Sequence, residues 1–92
     1  MSKKTVHVYI RGKVQGVWFR SNTKEKEEKQ GVHGWVRNMS DGRVEALFEG
    51  ERESVDAMVE WCHHGSPLSN VKNVKVQEIS KPVGCSDFKI KH

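Results

Sequence analysis

Residues 12–20, with the sequence GKVQGVWFR, form the first segment of the chain whose residue types could do chemistry. Gly12 and Gly16 allow the backbone to turn tightly and to approach a ligand closely. Consecutive backbone N–H groups in such a turn can converge on an anion, and a helix that starts directly afterwards adds the positive end of its dipole. Arg20 could offer a planar fork of donors to a phosphate. A phosphate-binding loop is one interpretation of this segment, and an ordinary strand–helix connection with an exposed arginine fits the local pattern equally well.

A second candidate segment spans residues 34–45 and reads GWVRNMSDGRVE. Asn38 lies where a predicted strand ends, directly before residues 39–42, in which Asp-Gly is a strong signal for a hairpin turn. The neutral amide of an asparagine can accept a hydrogen bond from water and donate one to an oxyanion. Asparagine also caps turns frequently, and the local pattern taken alone favours that structural role for Asn38.

Regular strand and helix patterns surround both segments. Period-two alternation with β-branched residues predicts half-buried strands, and helix start and stop signals predict two helices between them. The predicted strands cover residues 6–10, 33–39, 43–49, 71–79 and 87–90, and the predicted helices cover residues 21–30 and 54–64. This β-α-β-β-α-β order with a terminal strand predicts an α+β, ferredoxin-like sandwich of one antiparallel sheet with two helices on one face. Because that architecture carries many activities, the fold alone does not settle the function.

The first predicted helix is unusual because residues 21–31 contain no apolar side chain. Asn22 and Glu25 have the spacing of an N-terminal capping pair, and Gly31 suits the C-terminal cap. A helix that is polar on all sides is weakly docked or unstable, so we expect this element to be the least stable part of the fold. The side chains available for docking are Thr23, Lys26, Glu27 and Gln30.

The second predicted helix has a core-facing stripe with the spacing i, i+3, i+4, i+7. The stripe consists of Val55, Met58, Val59 and Cys62. Ser54 is the predicted N-cap. The position of Cys62 on the apolar face predicts a reduced, buried thiol, and the sequence does not support a disulfide with Cys85. The cysteines and histidines lack the spacing of zinc ligands, so no metal is predicted.

The length and the net charge of the chain limit its number of domains and the kinds of partner it can bind. The 92 residues suit one compact domain over residues 1–92. The formal charge of +4 favours anionic partners such as phosphorylated metabolites or nucleic acid. No apolar run reaches the length of a signal peptide, or the roughly 18 residues needed to span a bilayer, so we expect a cytoplasmic protein.

Both candidate segments resemble the two sequence signatures of the acylphosphatase family. The first is the glycine-containing loop that ends in Phe19-Arg20, and the second is the Gly-Trp-Val-Arg-Asn stretch of residues 34–38 followed by Asp-Gly. The second helix, the turn at residues 65–67 and the terminal residues 88–90 also resemble that family. The resemblance implies a hydrolase of acyl phosphates that uses neither metal nor cofactor, and nothing in the sequence demands a dimer.

The resemblance also implies roles for individual residues. Arg20 would bind the phosphoryl oxygens, and Asn38 would position the attacking water. The phosphate-binding loop would consist of Gln15, Gly16, Val17, Trp18, Phe19 and Arg20. No strong general base is evident near Asn38, so we expect an oxygen of the substrate's own phosphate to take the proton of the water. The indole of Trp18 could form a wall of the substrate site or simply pack on the surface.

The first helix departs from the pattern of the family. Acylphosphatases usually have a small or apolar residue where Glu27 stands, and leucine or a similar residue where Gln30 stands. Here both side chains are polar, which weakens the docking of the helix that helps to hold Arg20. We therefore expect an active protein of reduced stability, in which Gln30→Leu raises the melting temperature.

Two other functions stay open at this point. A domain of this kind could bind phosphorylated ligands without turnover, although the presence of both Arg20 and Asn38 argues against that. RNA-recognition modules share the sheet topology. Tyr9 could stack with a base here, but Glu45 and Glu49 on the third strand would oppose a phosphate backbone.

Overall fold

The computed structural model describes residues 2–81, 83–84 and 87–91. Within these residues the elements are β1 (Lys3–Lys13), α1 (Phe19–Gln30), β2 (His33–Asn38), β3 (Val44–Glu51), α2 (Arg52–His64), β4 (Asn70–Ile79) and β5 (Phe88–Lys91). The alternation of β1 places Val6, Val8 and Ile10 on one face of the strand, where all three are fully buried. The predicted order of strands and helices is confirmed.

The described strands form a five-stranded sheet in the order β4-β1-β3-β2-β5. β1 pairs antiparallel with β3 and β4, and β2 pairs antiparallel with β3. β5 runs parallel to β2, so the sheet is mixed and not antiparallel throughout. The difference arises because the chain crosses from β4 at one edge to the opposite edge and enters β5 from the same end as β2. With its two helices, this sheet has the predicted ferredoxin-like α+β fold.

The core lies between the sheet and the two helices. α2 packs against β1, β3 and β4, whereas α1 packs against β2 and β5. Val55, Met58 and Cys62 of α2 are fully buried, and Val59 is partly buried against the same core, which confirms the predicted stripe. Burial raises the pKa of the Cys62 thiol to about 12, so this free thiol stays protonated. Cys85 lies outside the described residues.

Both helices begin earlier than the sequence predicts. α1 begins at Phe19, and the Asn22 side chain donates a hydrogen bond to the Trp18 carbonyl oxygen (2.7 Å) instead of capping the helix. α2 begins at Arg52, so Ser54 lies inside its first turn and is not the N-cap. The Phe19 side chain is buried, and burying a phenyl ring contributes about 1.5–3 kcal/mol. We infer that this packing outweighs the capping signals that place the boundary of α1 further along the chain.

α1 docks through Phe19, Thr23 and Glu27, which are four residues apart and buried. The Thr23 hydroxyl donates to the Phe19 carbonyl oxygen (2.7 Å), so this polar group is satisfied. Of the polar side chains predicted to dock, Thr23 and Glu27 are covered, whereas Lys26 and Gln30 are only half-buried. The predicted helix, which begins at residue 21, does not include Phe19. In the structure Phe19 belongs to α1 and supplies its apolar contact.

Glu27 is the least favourable contact of this interface. It is 5% exposed, and its carboxylate has no hydrogen bond or ion pair within the part of the chain that the structure describes. Burial raises the pKa of Glu27, and the negative charge of Glu28 raises it further, while His33 and Lys24 lower it. A buried charge without a partner is costly, which gives the expected weak docking of α1 a physical cause.

Glu27→Leu is expected to raise the melting temperature by about 4–8 °C at pH 7, as a gain of about 1 kcal/mol does in a domain of this size. The substitution removes the buried carboxylate and adds apolar contact. Gln30→Leu introduces the same side chain at a half-buried position, so its rise should be smaller. Thermal unfolding followed by circular dichroism compares the two variants. A larger rise for Gln30→Leu would show that position 30 limits the docking of α1.

The pH dependence of stability gives Glu27→Leu a second readout. Folding raises the pKa of Glu27 above the unfolded value of about 4.3. The protonated side chain of Glu27 therefore contributes fully to the free energy of unfolding at a pH below its pKa in the unfolded chain. This contribution is lost as the pH rises through the pKa of Glu27 in the folded protein. The wild type should lose stability relative to Glu27→Leu between pH 4 and pH 7. A constant difference in melting temperature over that range would contradict this cause.

Candidate active site

The connection between β1 and α1 has a backbone of alternating handedness. Gly16 (φ 72°) and Trp18 (φ 65°) are left-handed, whereas Val17 between them has a negative φ. Phe19 then begins the right-handed helix α1. Such alternation turns successive N–H groups toward one point and forms a concavity that can bind an anion. The positive end of α1 adjoins the same point.

Neighbouring elements hold this loop in its conformation. The Trp18 carbonyl oxygen accepts hydrogen bonds from the backbone N–H (3.0 Å) and the side-chain amide (2.7 Å) of Asn22. The buried Ser66 hydroxyl donates to the Val17 carbonyl oxygen (2.7 Å) from the segment between α2 and β4. A left-handed backbone costs a non-glycine residue roughly 1–2 kcal/mol, and these contacts maintain it at Trp18.

Gln15 connects the loop to the hairpin that follows Asn38. Its side-chain amide donates hydrogen bonds to the carbonyl oxygens of Met39 (2.7 Å) and Arg43 (2.9 Å). These two carbonyls flank the hairpin turn, so Gln15 braces the loop against the end of β2. Because its side-chain donors are engaged there, any part that Gln15 takes in binding an anion must come from its backbone.

Asn38 is the last residue of β2, on the same face of the strand as Val36. The predicted hairpin turn is present, and other groups close it. The Met39 N–H donates to the Arg43 carbonyl oxygen (2.7 Å), and the Asp41 carboxylate accepts from the Arg43 backbone N–H (3.1 Å). Asn38 Oδ1 is buried and has no hydrogen-bond partner among the described residues. The Asn38 side chain therefore does not serve as the cap of this turn.

A cavity of about 200 Å³ lies where the loop approaches the end of β2. Its lining residues are Val14, Gly16, Trp18, Phe19, Arg20, Ser21 and Asn38. They include the cation of Arg20 and no carboxylate. Arg20 is half-buried, and its guanidinium makes no hydrogen bond or ion pair with any residue that the structure describes. A free guanidinium beside an N–H concavity is suited to bind a small oxyanion.

The structure brings most of the predicted site residues together. Those that line the cavity are Gly16, Trp18, Phe19, Arg20 and Asn38. Gln15 and Val17 do not line it, because Gln15 braces the hairpin and the Val17 side chain is buried in the core. Val14 and Ser21 line the cavity although the sequence does not single them out. Their only signal is their position at the two ends of the predicted loop.

On the face of the sheet away from the helices, cations cover the aromatic rings. The Arg43 guanidinium lies 5.0 Å from the centre of the Tyr9 ring, and the Lys91 ammonium lies 4.5 Å from the centre of the Trp35 ring. Glu45 lies on the same face and is 7% exposed. Base stacking needs accessible ring faces, so this surface offers no support for RNA binding.

Metal-binding clusters and membrane-spanning helices are absent from residues 2–81, 83–84 and 87–91. Over these ranges, no group of three or more His, Cys, Asp and Glu side chains is placed to hold a metal ion. None of the helices described there is both long enough and apolar enough to cross a membrane.

The protein is a small α+β, ferredoxin-like sandwich, and the loop at its first strand–helix connection has a backbone and an arginine suited to bind a phosphate-like oxyanion. The family model described as Acylphosphatase matches residues 6–90. The acylphosphatase of Rubrobacter xylanophilus is 51% identical over 88 residues, which cover 96% of this chain and 80% of that relative. The chain therefore belongs to the acylphosphatase family. The predicted family and the predicted hydrolase class are confirmed.

Other relatives and solved structures agree over nearly the whole chain. The acylphosphatase of Haloarcula marismortui is 50% identical over 91 residues, which cover 99% of each chain. The crystal structure of acylphosphatase from Bacillus subtilis gives a TM-score of 0.93 at 36% identity, covering 97% of this chain and 99% of that one. An acylphosphatase from Coxiella burnetii gives 0.91 at 40% identity, covering 97% and 93%. These likenesses confirm the ferredoxin-like fold.

Proposed function

We propose that this protein hydrolyses acyl phosphates to a carboxylate and inorganic phosphate, with the phosphoryl group bound in the cavity between the loop and the end of β2. One observation carries the proposal. The Arg20 guanidinium and the Asn38 amide, which come from separate segments of the chain, line the same cavity, and no carboxylate lines it with them. The names of the relatives point to the same activity.

The loop and Arg20 bind the phosphoryl group. Backbone N–H groups of residues 15–20 donate to its oxygens, and Arg20 adds a planar fork of charged donors. Gln15 and Val17 take part through their backbone only, because their side chains are engaged elsewhere. Ser66 already holds the loop through the Val17 carbonyl. Donors that are fixed in advance stabilise the transition state without a cost of reorganisation.

Hydrolysis forms one bond and breaks one bond at phosphorus. The oxygen of water attacks the phosphorus, and the bond from phosphorus to the carboxyl oxygen breaks with its electron pair leaving on the carboxylate. Both protons of the water end on the phosphate, so the products are a carboxylate and dihydrogen phosphate. A carboxylate is a good leaving group, so the reaction requires mainly positioning and charge stabilisation. No carboxylate or imidazole lines the cavity, and a phosphate oxygen of the substrate takes the first proton.

Asn38 positions the attacking water. Its Oδ1 is a buried acceptor without a hydrogen-bond partner among the described residues, and leaving such a group unsatisfied costs about 1–3 kcal/mol. A water that donates to Oδ1 removes this cost. The same hydrogen bond leaves a lone pair of the water free to face the phosphorus.

The test of this function is hydrolysis of benzoyl phosphate by the wild-type protein in the presence of EDTA. We expect turnover without added metal, with inorganic phosphate as a competitive inhibitor. p-Nitrophenyl phosphate, a phosphate ester with a poorer leaving group than a carboxylate, is the control substrate. Its turnover should be much slower than that of benzoyl phosphate. Phosphate binding without any turnover would support the non-catalytic binding module instead. Turnover that appears only after a metal is added would overturn the mechanism.

We further propose that the protein acts as a monomer in the cytoplasm. The Cys62 thiol is free and buried, and the cytoplasm keeps such thiols reduced. Arg20 and Asn38 meet at the cavity through contacts within the chain itself, which is the arrangement that a monomeric enzyme requires.

A further inference from the structure

Trp18 lines the cavity together with Arg20 and Asn38, yet it is 70% exposed, more than any other large apolar side chain in the described ranges. Aromatic side chains normally contribute to a fold by being buried. A single exposed apolar side chain is common at protein surfaces, but this one borders the cavity that Arg20 and Asn38 also line.

Internal packing explains the other two tryptophans but not Trp18. The Trp61 ring centre lies 5.3 Å from that of Phe19, and the Trp35 ring centre lies 5.8 Å from that of His7. Trp18 makes no ring contact with the residues that the structure describes. Its indole therefore adds little to the stability of the fold.

The backbone of the loop does not require tryptophan either. Position 18 is left-handed, a conformation that glycine adopts without strain and tryptophan does not. The hydrogen bonds that hold this position involve the backbone carbonyl oxygen, which every residue has. A glycine would thus form the same N–H concavity with less backbone strain. We therefore look for the role of the indole in contact with the substrate.

The acyl group is the part of the substrate that the N–H concavity does not hold. It is attached to the phosphoryl group through the bond that breaks, so it must extend from the concavity toward the opening of the cavity. Trp18 provides an exposed aromatic surface there. An aromatic or bulky apolar acyl group can pack against an indole, whereas an acetyl group presents only a methyl.

We propose that Trp18 is a specificity-determining residue, whose indole binds the acyl group and makes the enzyme prefer acyl phosphates with aromatic or bulky apolar acyl groups. This inference rests on the proposed function and names the substrate class for the same site. Since the contact is present in both the ground state and the transition state, it lowers KM and leaves kcat nearly unchanged.

The test compares kcat/KM for benzoyl phosphate and acetyl phosphate in the wild type, Trp18→Gly and Trp18→Phe. Trp18→Gly removes the indole and suits the left-handed backbone, and the benzoyl-to-acetyl ratio of kcat/KM should fall about five- to tenfold, mainly through KM. Trp18→Phe keeps an aromatic ring and should retain most of the ratio. Leu68→Ala is the matched control, because Leu68 is 64% exposed and does not line the cavity, and its ratio should equal that of the wild type.

An unchanged ratio in Trp18→Gly, including equal losses for both substrates, would overturn the role of Trp18 and leave the proposed function intact. An equal fall of the ratio in Leu68→Ala would overturn that role as well, because the effect would not depend on the cavity. Failure of the wild type to hydrolyse either substrate would instead overturn the proposed function, and the inference would fall with it.

Discussion

Arg20→Gln is expected to lower kcat/KM for benzoyl phosphate by about 100- to 1000-fold. Arg20 supplies the cation of the cavity. Glutamine keeps a polar side chain but loses the charge and the fork of donors that match a phosphoryl group. Because Arg20 is proposed to contact that group in the ground state and in the transition state, the affinity for inorganic phosphate should fall too. Steady-state hydrolysis and product inhibition measure the two effects.

Two matched variants separate the charge of Arg20 from its geometry and position. Arg20→Lys keeps the charge but not the planar fork, so an intermediate loss is expected. Arg11→Gln removes the same net charge from an exposed position of β1 that does not line the cavity, and it should retain the wild-type rate. Near-wild-type activity of Arg20→Gln, or equal losses for Arg20→Gln and Arg11→Gln, would contradict the role of Arg20.

Asn38→Ala is expected to lower kcat by about 100- to 1000-fold, the cost of losing a positioned polar group in such a site. The inhibition constant for inorganic phosphate should change little, since in the proposed mechanism the loop and Arg20 bind the anion and Asn38 orients the water. The effect therefore lies in kcat, as expected for an interaction made in the transition state. Hydrolysis and phosphate inhibition assays on the same preparation show whether the two quantities separate.

Thermal stability provides the control for Asn38→Ala. Asn38 Oδ1 has no hydrogen-bond partner among the described residues, so truncation should not cost a hydrogen bond within the protein. The melting temperature should stay at the wild-type value or rise slightly. A large fall in melting temperature, or a loss of phosphate affinity as great as the loss of kcat, would assign Asn38 a structural role.

The resemblance to the acylphosphatases, more than local geometry, identified the candidate site. Taken alone, the residues around Arg20 are consistent with an ordinary loop, and those around Asn38 favour a turn cap. In the structure, Asp41 and the backbone of Met39 close that turn instead. Asn38 and Asp41 are three residues apart, and both side chains are of a type that caps turns. Local preferences do not tell which of the two closes this one.

For Gln15, the structure adds a contact to the place that the resemblance gives it in the loop. The resemblance places it in the phosphate-binding loop, but its side chain donates to Met39 and Arg43. These carbonyls belong to a hairpin far along the chain. Nothing in the spacing of residues 12–20 states that this hairpin lies beside them.

The sequence by itself determined the order of the strands and helices and the places where the chain turns. The period of two in β1 and the spacing of Val55, Met58 and Cys62 are local properties, because each depends on the geometry of one element. Gly31 and Gly42 also have the left-handed φ that their turn positions require.

Tertiary structure alone decided where α1 begins, which way β5 runs, and that Glu27 is buried while Gln30 is only half-buried. It also brought Arg20 and Asn38 to one cavity. Burial depends on what the rest of the chain places against a residue, so a polar helix face can be covered and a capping signal can be overridden. Local patterns set the conformation of each element, whereas the contacts that position the reacting groups form only when the elements pack together.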